Sequence, residues 1–205
     1  MLKIGLTGGI GSGKTTVSNL FAKFNLTEEL VSILDTDVIA RQIVEKGQAA
    51  YTKILNIFGN TILNDDASIN RANLRKIIFN NSVLKSKLEE ITHPVIQLEV
   101  QNTISQLSSK YCIIVIPLLF ETNSNYQLDR VLVVDCDQEV QIQRASQRDH
   151  VSKDDVKLIM QSQVSREYRL QHADDIILNN GNIEKLKNQV DDLHHLYLNL
   201  LKADK

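Results

Sequence analysis

Gly8-Gly9-Ile10-Gly11-Ser12-Gly13-Lys14-Thr15 is the stretch that decides the fold. It fits the pattern G-x-x-x-x-G-K-[ST] at every required position, and its flanks matter as much as the match. Upstream, LKIGLT (2–7) reads as a buried strand. Downstream, TTVSNLFAKF places Val17, Leu20, Phe21 and Phe24 on one apolar stripe of a helix. In a strand, glycine-rich turn and helix of this kind, backbone N–H groups can turn inward around phosphate oxygens. The helix N-terminus adds partial positive charge. Gly9, Gly11, Ser12, Gly13 and Thr16 are the candidate cradle. Lys14 is the candidate to neutralise β- and γ-phosphates, and the Thr15 hydroxyl to hold Mg²⁺. The segment is a nucleoside-triphosphate site by its own chemistry.

Working outward, VSILD (31–35), YCIIVIP (111–117), RVLVVD (130–135) and DDIIL (174–178) are further short runs, apolar on consecutive residues. Such runs belong to strands covered on both faces. Strands alternating with helical patterns predict an α/β fold with a parallel sheet and helices on both sides. The interval 36–110 carries helical spacings (Leu74, Ile77, Ile78; Leu84, Leu88, Ile91; Ile104, Leu107) and no convincing strand. It is longer than a crossover needs, so it reads as a helical lobe over the carboxyl edge of the sheet. A second insertion is expected at 139–170, where Ser152-Lys153-Asp154-Asp155 precedes Val156, Ile159 and Met160 as a capping box. Leu186, Val190, Leu193, Tyr197, Leu200 and Leu201 share one face of a closing helix.

Composition narrows the class. The 205 residues are 42% hydrophobic and 23% charged, with 8 Gly and 2 Pro, which fits a packed core and excludes disordered or fibrous chains. A net charge of −2 argues against a broad nucleic-acid-binding surface. The longest apolar runs are too short to span a bilayer, and glycines interrupt the N-terminal apolar stretch before a signal-peptide core forms. A soluble, cytoplasmic chain is expected. Cys112 and Cys136 lie in or beside apolar segments and read as buried thiols.

Motifs of other phosphate-loop classes are missing: no N/T-K-x-D for reading guanine, and no Ser-Gly-Gly transporter signature. Val131-Leu132-Val133-Val134-Asp135 loosely fits a strand ending in a metal-side carboxylate. Asp35-Thr36-Asp37 ends the second strand, where α/β sheets place ligands. One carboxylate could hold Mg²⁺ through water and the other accept a proton from an attacking hydroxyl, while Asp37 also suits a helix start. Arg41, one turn on, points toward the same cleft or forms a surface ion pair. Arg144 and Arg148, four apart on a helix, share a face suited to a transferring phosphoryl group, or to pairing with Glu139 or Asp149. His93, ahead of Pro94, suits a structural cap. His194 and His195 are adjacent and point to different helix faces, a poor metal pair.

Together LTGGIGSGKTTV (6–17), LDTDVIAR (34–41), ITHPVI (91–96), IPLLFE (116–121), VLVVDCD (131–137), QRASQRD (143–149) and ADDIILNNG (173–181) resemble the dephospho-coenzyme A kinase family over nearly the whole chain. The resemblance implies ATP-dependent phosphorylation of the ribose 3′-hydroxyl of dephospho-CoA, the last step of coenzyme A synthesis. It also implies a three-layer P-loop fold of five parallel strands. That fold has a core (1–35, 111–138, 171–205), a helical acceptor lobe (36–110) and a lid (139–170). Carried onto this sequence, Asp37 is the general base and Asp35 its partner near the metal. Thr7 and Arg41 line the acceptor cleft; His93, Pro117, Leu118 and Leu119 border the coenzyme A channel. Arg144 and Arg148 match the lid arginines, and Asn179 lies near the adenine. Thr36 departs from the pattern, where alanine is usual. The expected partner is a small molecule, with neither nucleic acid nor membrane, and a monomer or weak homo-oligomer is expected, the pattern itself not revealing the oligomeric state.

Overall fold

The computed structural model describes residues 1–25, 30–122 and 126–203. Five strands form one parallel sheet: β1 (Leu2–Thr7), β2 (Val31–Asp35), β3 (Tyr111–Val115), β4 (Arg130–Asp135) and β5 (Asp175–Leu178). Their order is β2-β3-β1-β4-β5. The chain leaves β1 toward β2 on one side of the sheet, and leaves β3 toward β4 on the other. Because β1 and β3 are neighbours, their carboxyl ends flank the switch point at which open α/β sheets bind ligands. The phosphate loop follows β1, and the Pro117–Leu119 turn follows β3.

The chain divides into two compact units, Met1–Asp35 with Gln106–Lys205, and Thr36–Ser105. In the first, α1 (Lys14–Ala22) and α9 (Ile183–Ala203) pack against each other. Val17 and Phe21 from α1 join Ile4, Leu6, Ile113, Leu132 and Val134 of the strands, and Leu186, Val190 and Tyr197 of α9, in one apolar core. This core also holds polar groups. The Tyr111 hydroxyl lies 2.7 Å from Nδ1 of the buried His194, whose ring stacks on Phe24 at 3.8 Å. The Tyr197 hydroxyl donates to Asp175 Oδ2 at 3.0 Å, and Arg130 grips the same carboxylate with two bonds. Burial and the adjoining Asp175 hold the Tyr197 phenol far above its ordinary pKa, so it keeps its proton.

The second unit is helical: α2 (Thr36–Gln42), α3 (Ala49–Phe58), α4 (Arg71–Phe79) and α5 (Ser82–Ser105), with a short 3₁₀ turn at Asn60–Ile62. Tyr51, Ile54, Ile62, Ile69 and Leu74 form its core, and the Tyr51 hydroxyl donates to the Ala67 carbonyl at 2.6 Å. The Asn70 side chain caps α4 by accepting from Asn73 N at 2.9 Å.

Several expectations are corrected. β3 ends at Val115, because the chain turns at Pro117, which has no N–H to give the ladder. Ile116 N still donates to Leu6 O at 2.9 Å. β5 is not covered on both faces: Ile176 and Leu178 are about half exposed, since β5 is an edge strand. Gln189 guards that edge, its side chain accepting from Leu178 N and donating to Leu178 O. His93 caps nothing. It lies inside α5, which runs through Pro94 as one helix, although that proline removes the N–H that would bond the carbonyl of Glu90. Ile159 is exposed, so the buried face of its helix is Val156, with Met160 partly buried. Helix α3 lies inside the segment expected to be helical, although no spacing there marks it by itself. Cys112 and Cys136 are both buried and unbridged.

Candidate active site

The phosphate loop closes β1 and opens α1. Gly8, Gly11 and Gly13 have φ of 154°, 72° and 93°, backbone that side chains resist. Each glycine also meets something. A Cβ on Gly8 would strike the Val134 carbonyl, one on Gly11 would lie 2.5 Å from the Gln141 carbonyl oxygen, and one on Gly13 would overlap the Asn179 amide. Lys14 Nζ donates to the carbonyls of Gly8 (2.8 Å) and Gly9 (3.2 Å), which holds the ammonium over the loop. Asn179 Nδ2 donates to Ser12 O at 2.8 Å, and Arg144 Nη1 to Asn179 O at 3.0 Å. Thr15 and Thr16 present exposed hydroxyls in the first turn of α1.

One group in this cradle has no protein partner. Ser12 Oγ is fully buried and, among the described residues, makes no hydrogen bond. An orphaned buried hydroxyl beside inward-turned glycines and a held lysine is what a phosphate-binding loop presents before its ligand arrives. The residues fit a nucleotide triphosphate. For Mg²⁺, the donor set of the Thr15 hydroxyl and the Asp35 carboxylate has the right chemistry, since that ion takes few protein ligands and completes its shell with water and phosphate.

Three helices follow β4: α6 (Gln138–Asp149), α7 (Lys153–Gln161) and α8 (Arg166–Gln171). Ser152 and Asp155 form the reciprocal capping box that opens α7, and Ser165 caps α8. These elements reach the phosphate loop. Ile10 N donates to Gln163 Oε1 at 3.0 Å, and Gln141 lies beside Gly9 and Gly11. Ile142, Ala145 and Val156 form a small apolar cluster on which Ile10 packs. A cavity of about 510 Å³ lies among α6, α7 and α8, lined by Gln141, Gln163, Arg166 and Arg169 among others.

The structure sorts the sequence candidates. Arg144 is at the loop. Arg148 is not: it points outward and holds Asp149 with two bonds of 2.7 and 2.8 Å, the surface pairing that was its alternative. The buried Asp135 holds the exposed Arg166 with three contacts of 2.6 to 3.1 Å, so the carboxylate at this strand end is engaged in an ion pair. Thr7 is buried at the end of β1. Asp35 closes β2 half-buried, and Asp37 is exposed in the first turn of α2. Arg41 is exposed, and its carbonyl accepts from Arg71 at 3.2 Å. His93 is half-buried. In the turn after β3, Leu118 is exposed while Pro117 and Leu119 are half-buried. Just beyond, Phe120 packs edge-on against Tyr168, and Glu121 Oε1 accepts from Val164 N at 3.0 Å. Sequence reasoning passed over Gln141, Gln163, Arg166 and Arg169; only the Arg166/Arg169 spacing behind a Ser165 cap could have signalled them.

The sequence model of the dephospho-CoA kinase family matches residues 2–185. The chain belongs to the dephospho-CoA kinase family. A Photobacterium profundum protein called dephospho-CoA kinase is 45% identical over 197 residues, covering 96% of each chain. One of the same name from Coxiella burnetii is 43% identical, covering 99% of this chain and all of that one. Among solved structures, the dephospho-CoA kinase of Campylobacter jejuni aligns with TM-score 0.67 at 25% identity, covering 99% of this chain and 98% of that one. A Thermus thermophilus structure aligns with TM-score 0.79 at 24% identity, covering 94% and 95%, which speaks for the fold alone. As a member of this family the chain is a P-loop kinase. Among the described residues, no helix is long and apolar enough to cross a membrane.

Proposed function

We propose that this chain transfers the γ-phosphoryl group of ATP to the ribose 3′-hydroxyl of dephospho-CoA, giving coenzyme A. The observation that carries the reading is the phosphate loop, preformed around an orphaned Ser12 hydroxyl in a chain of this family. Lys14 and the loop N–H groups bind the β- and γ-phosphates, and Arg144, held by Asn179, adds a guanidinium beside them. Asn179 and the turn after it lie near the adenine. Asp37 accepts the proton of the attacking hydroxyl. Thr15 and Asp35 would hold Mg²⁺, which would supply neutralising positive charge to the phosphates. Arg41 and His93 of the helical segment 36–110 are assigned to the acceptor, as are Thr7 and the Pro117–Leu119 turn. Residues 139–170 act as the lid, with Arg148 on its outer face. The reaction needs no partner beyond its small-molecule substrates, and it proceeds in the cytoplasm in a monomer or weak homo-oligomer.

The test is phosphoryl transfer from ATP to a panel of acceptors, with the product's phosphate located by NMR. Dephospho-CoA is expected to turn over, and AMP, CMP and shikimate hardly at all; preference for a monophosphate acceptor would overturn the substrate while leaving a kinase. Within it, Asp37→Asn should lower kcat by roughly 10²-fold, the lower end for a general base, because phosphoryl transfer is loose. Asp35→Asn should instead raise the Mg²⁺ requirement. If Asp37→Asn kept its kcat and Asp35→Asn lost it, the two roles would be exchanged.

A further inference from the structure

Arg169 is an unusual place to keep a cation. Its side chain is only 8% exposed, on a short helix 160 residues along the chain from the loop it faces. Burying a guanidinium is costly unless its donors and charge are matched. Its Nη1 donates to the Val164 carbonyl. Among the described residues no carboxylate is hydrogen-bonded to it. Glu121, Asp135 and Glu167 act on it only at longer range; Glu121 is engaged with Val164 N and Asp135 with Arg166. Burial accordingly pushes its pKa down from the ordinary arginine value. The guanidinium thus retains donors, and its charge has no hydrogen-bonded carboxylate among the described residues.

Those donors face the phosphate loop. Nη2 lies 3.1 Å from where a Cβ on Gly9 would stand, and Gln141 Nε2 lies 2.8 Å from the same point. A side chain at position 9 would therefore separate both from the loop. The glycine admits a cation and an amide donor on the side of the loop away from Asn179 and Arg144, which stand over Gly13. Gln163, from the same connection between α7 and α8, bonds Ile10 N and fixes the distance between α8 and the loop.

We infer that Arg169 is a further phosphate-contacting cation beside Lys14 and Arg144, supplied within the chain to the terminal phosphate of ATP across Gly9. This rests on the kinase reading for its ATP, and on no particular acceptor. It divides the work: Lys14 comes from α1 and Arg144 from α6 near Gly13, and Arg169 comes from α8 at Gly9. Planar guanidinium donors suit charge that spreads over phosphoryl oxygens, and a buried one needs no reorganisation when that charge develops.

The test compares ATP with ADP, which differ by the phosphate in question. Arg169→Gln keeps an amide donor for the Val164 carbonyl and removes the charge; Arg169→Lys keeps the charge and loses the fork. Dissociation constants for both nucleotides, measured calorimetrically with Mg²⁺ and without acceptor, are read with a melting curve. Arg169→Gln is expected to weaken ATP by about ten- to a hundredfold, the worth of a hydrogen bond to a charged group. ADP should change by less than about threefold, and Arg169→Lys should recover most of the ATP preference. In turnover, kcat should fall more than the KM for the acceptor rises. Equal weakening of ATP and ADP, an unchanged ATP preference in Arg169→Gln, or loss of that preference in both variants would each overturn the inference. Because binding is read without acceptor, a failure of dephospho-CoA as substrate would leave this result standing.

Discussion

Gly11→Ala separates two reasons for a glycine in the phosphate loop. Gly11 has φ of 72°, where an alanine costs about 1–2 kcal/mol in the left-handed region. Its new Cβ would also lie 2.5 Å from the backbone oxygen of Gln141. A carbon and a carbonyl oxygen rest at about 3.3 Å or more, so the first turn of α6 must retreat by about 0.8 Å. That oxygen belongs to a helix whose next turns pack Ile142 and Ala145 against Val156, so the retreat is resisted and costs about 1–3 kcal/mol as overpacking. The expected total is about 2–5 kcal/mol, or about 4–20 °C in Tm for a chain of this size. Gly181→Ala is the control in the same unit. Its φ is 104°, but the nearest atom to its Cβ would be Arg144 Nη2 at 3.9 Å, an ordinary contact, so only the backbone term of about 1–2 kcal/mol remains. Urea unfolding of both nucleotide-free variants gives the difference, and calorimetry gives the ATP affinity of Gly11→Ala. The expected result is a larger stability loss at Gly11 than at Gly181, with ATP binding severely weakened. If Gly11→Ala lost no more than Gly181→Ala and bound ATP like the parent, the close approach of α6 would not be what this glycine serves.

Asn179→Ala should cost about 1–3 kcal/mol, because the Ser12 carbonyl loses its amide donor in a buried position, and ATP should bind more weakly through a loosened loop; urea unfolding and calorimetry check both. The buried thiols predict an alkaline limit. Burial pushes the Cys112 thiol up to about 11 and raises Cys136 as well, while thiols of the unfolded chain ionise near about 8.5. A folded pKa raised above its unfolded value gives stability that is complete below the unfolded pKa and lost as pH climbs toward the folded one. Unfolding free energy should therefore fall between about pH 8.5 and 11, and neither cysteine should react with maleimide at pH 8 in the folded protein. Rapid labelling without unfolding would contradict the burial.

What the sequence revealed, and what it hid, follows the range of the interactions. β2 and β4 run as read, 31–35 and 130–135, because each is a β-branched run closed by a carboxylate. The phosphate loop was legible because its chemistry is contained in eight consecutive residues. The α7 capping box was legible for the same reason, its reciprocal bonds spanning three residues. Arg169, Gln141 and Gln163 were not, since they meet the loop only through the placing of β4 beside β1. Nothing local marks a glutamine as the partner of a backbone N–H 153 residues away. Arg148 misled in the opposite way. Its spacing from Arg144 is right for a shared face, but a neighbouring Asp149 captures it first. His194 shows the same limit: a helix pattern marks it as polar, and only the fold supplies the Tyr111 hydroxyl and the Phe24 ring that make it a core residue.

The pairing of β1 with β4 also changes what the glycine pattern means. Thr7 aligns with Val133, so the loop after β1 and the helix after β4 begin side by side. The atoms that exclude a Cβ are the Val134 carbonyl at Gly8, the Gln141 carbonyl at Gly11 and the Asn179 amide at Gly13. They come from β4, from α6 and from the end of β5, all on one side of β1 in the sheet. Three glycines usually explained by phosphate shape are thus also required by the half of the sheet packed against the loop. The same contacts hold the loop: Ser12 O is taken by Asn179, Ile10 N by Gln163, and Lys14 rests on the carbonyls of Gly8 and Gly9. A loop already ordered by its neighbours loses little conformational freedom when phosphate enters, so more of the binding energy appears as affinity. Since those neighbours are α6, the α7–α8 connection and the turn after β5, movement of that segment changes the loop directly.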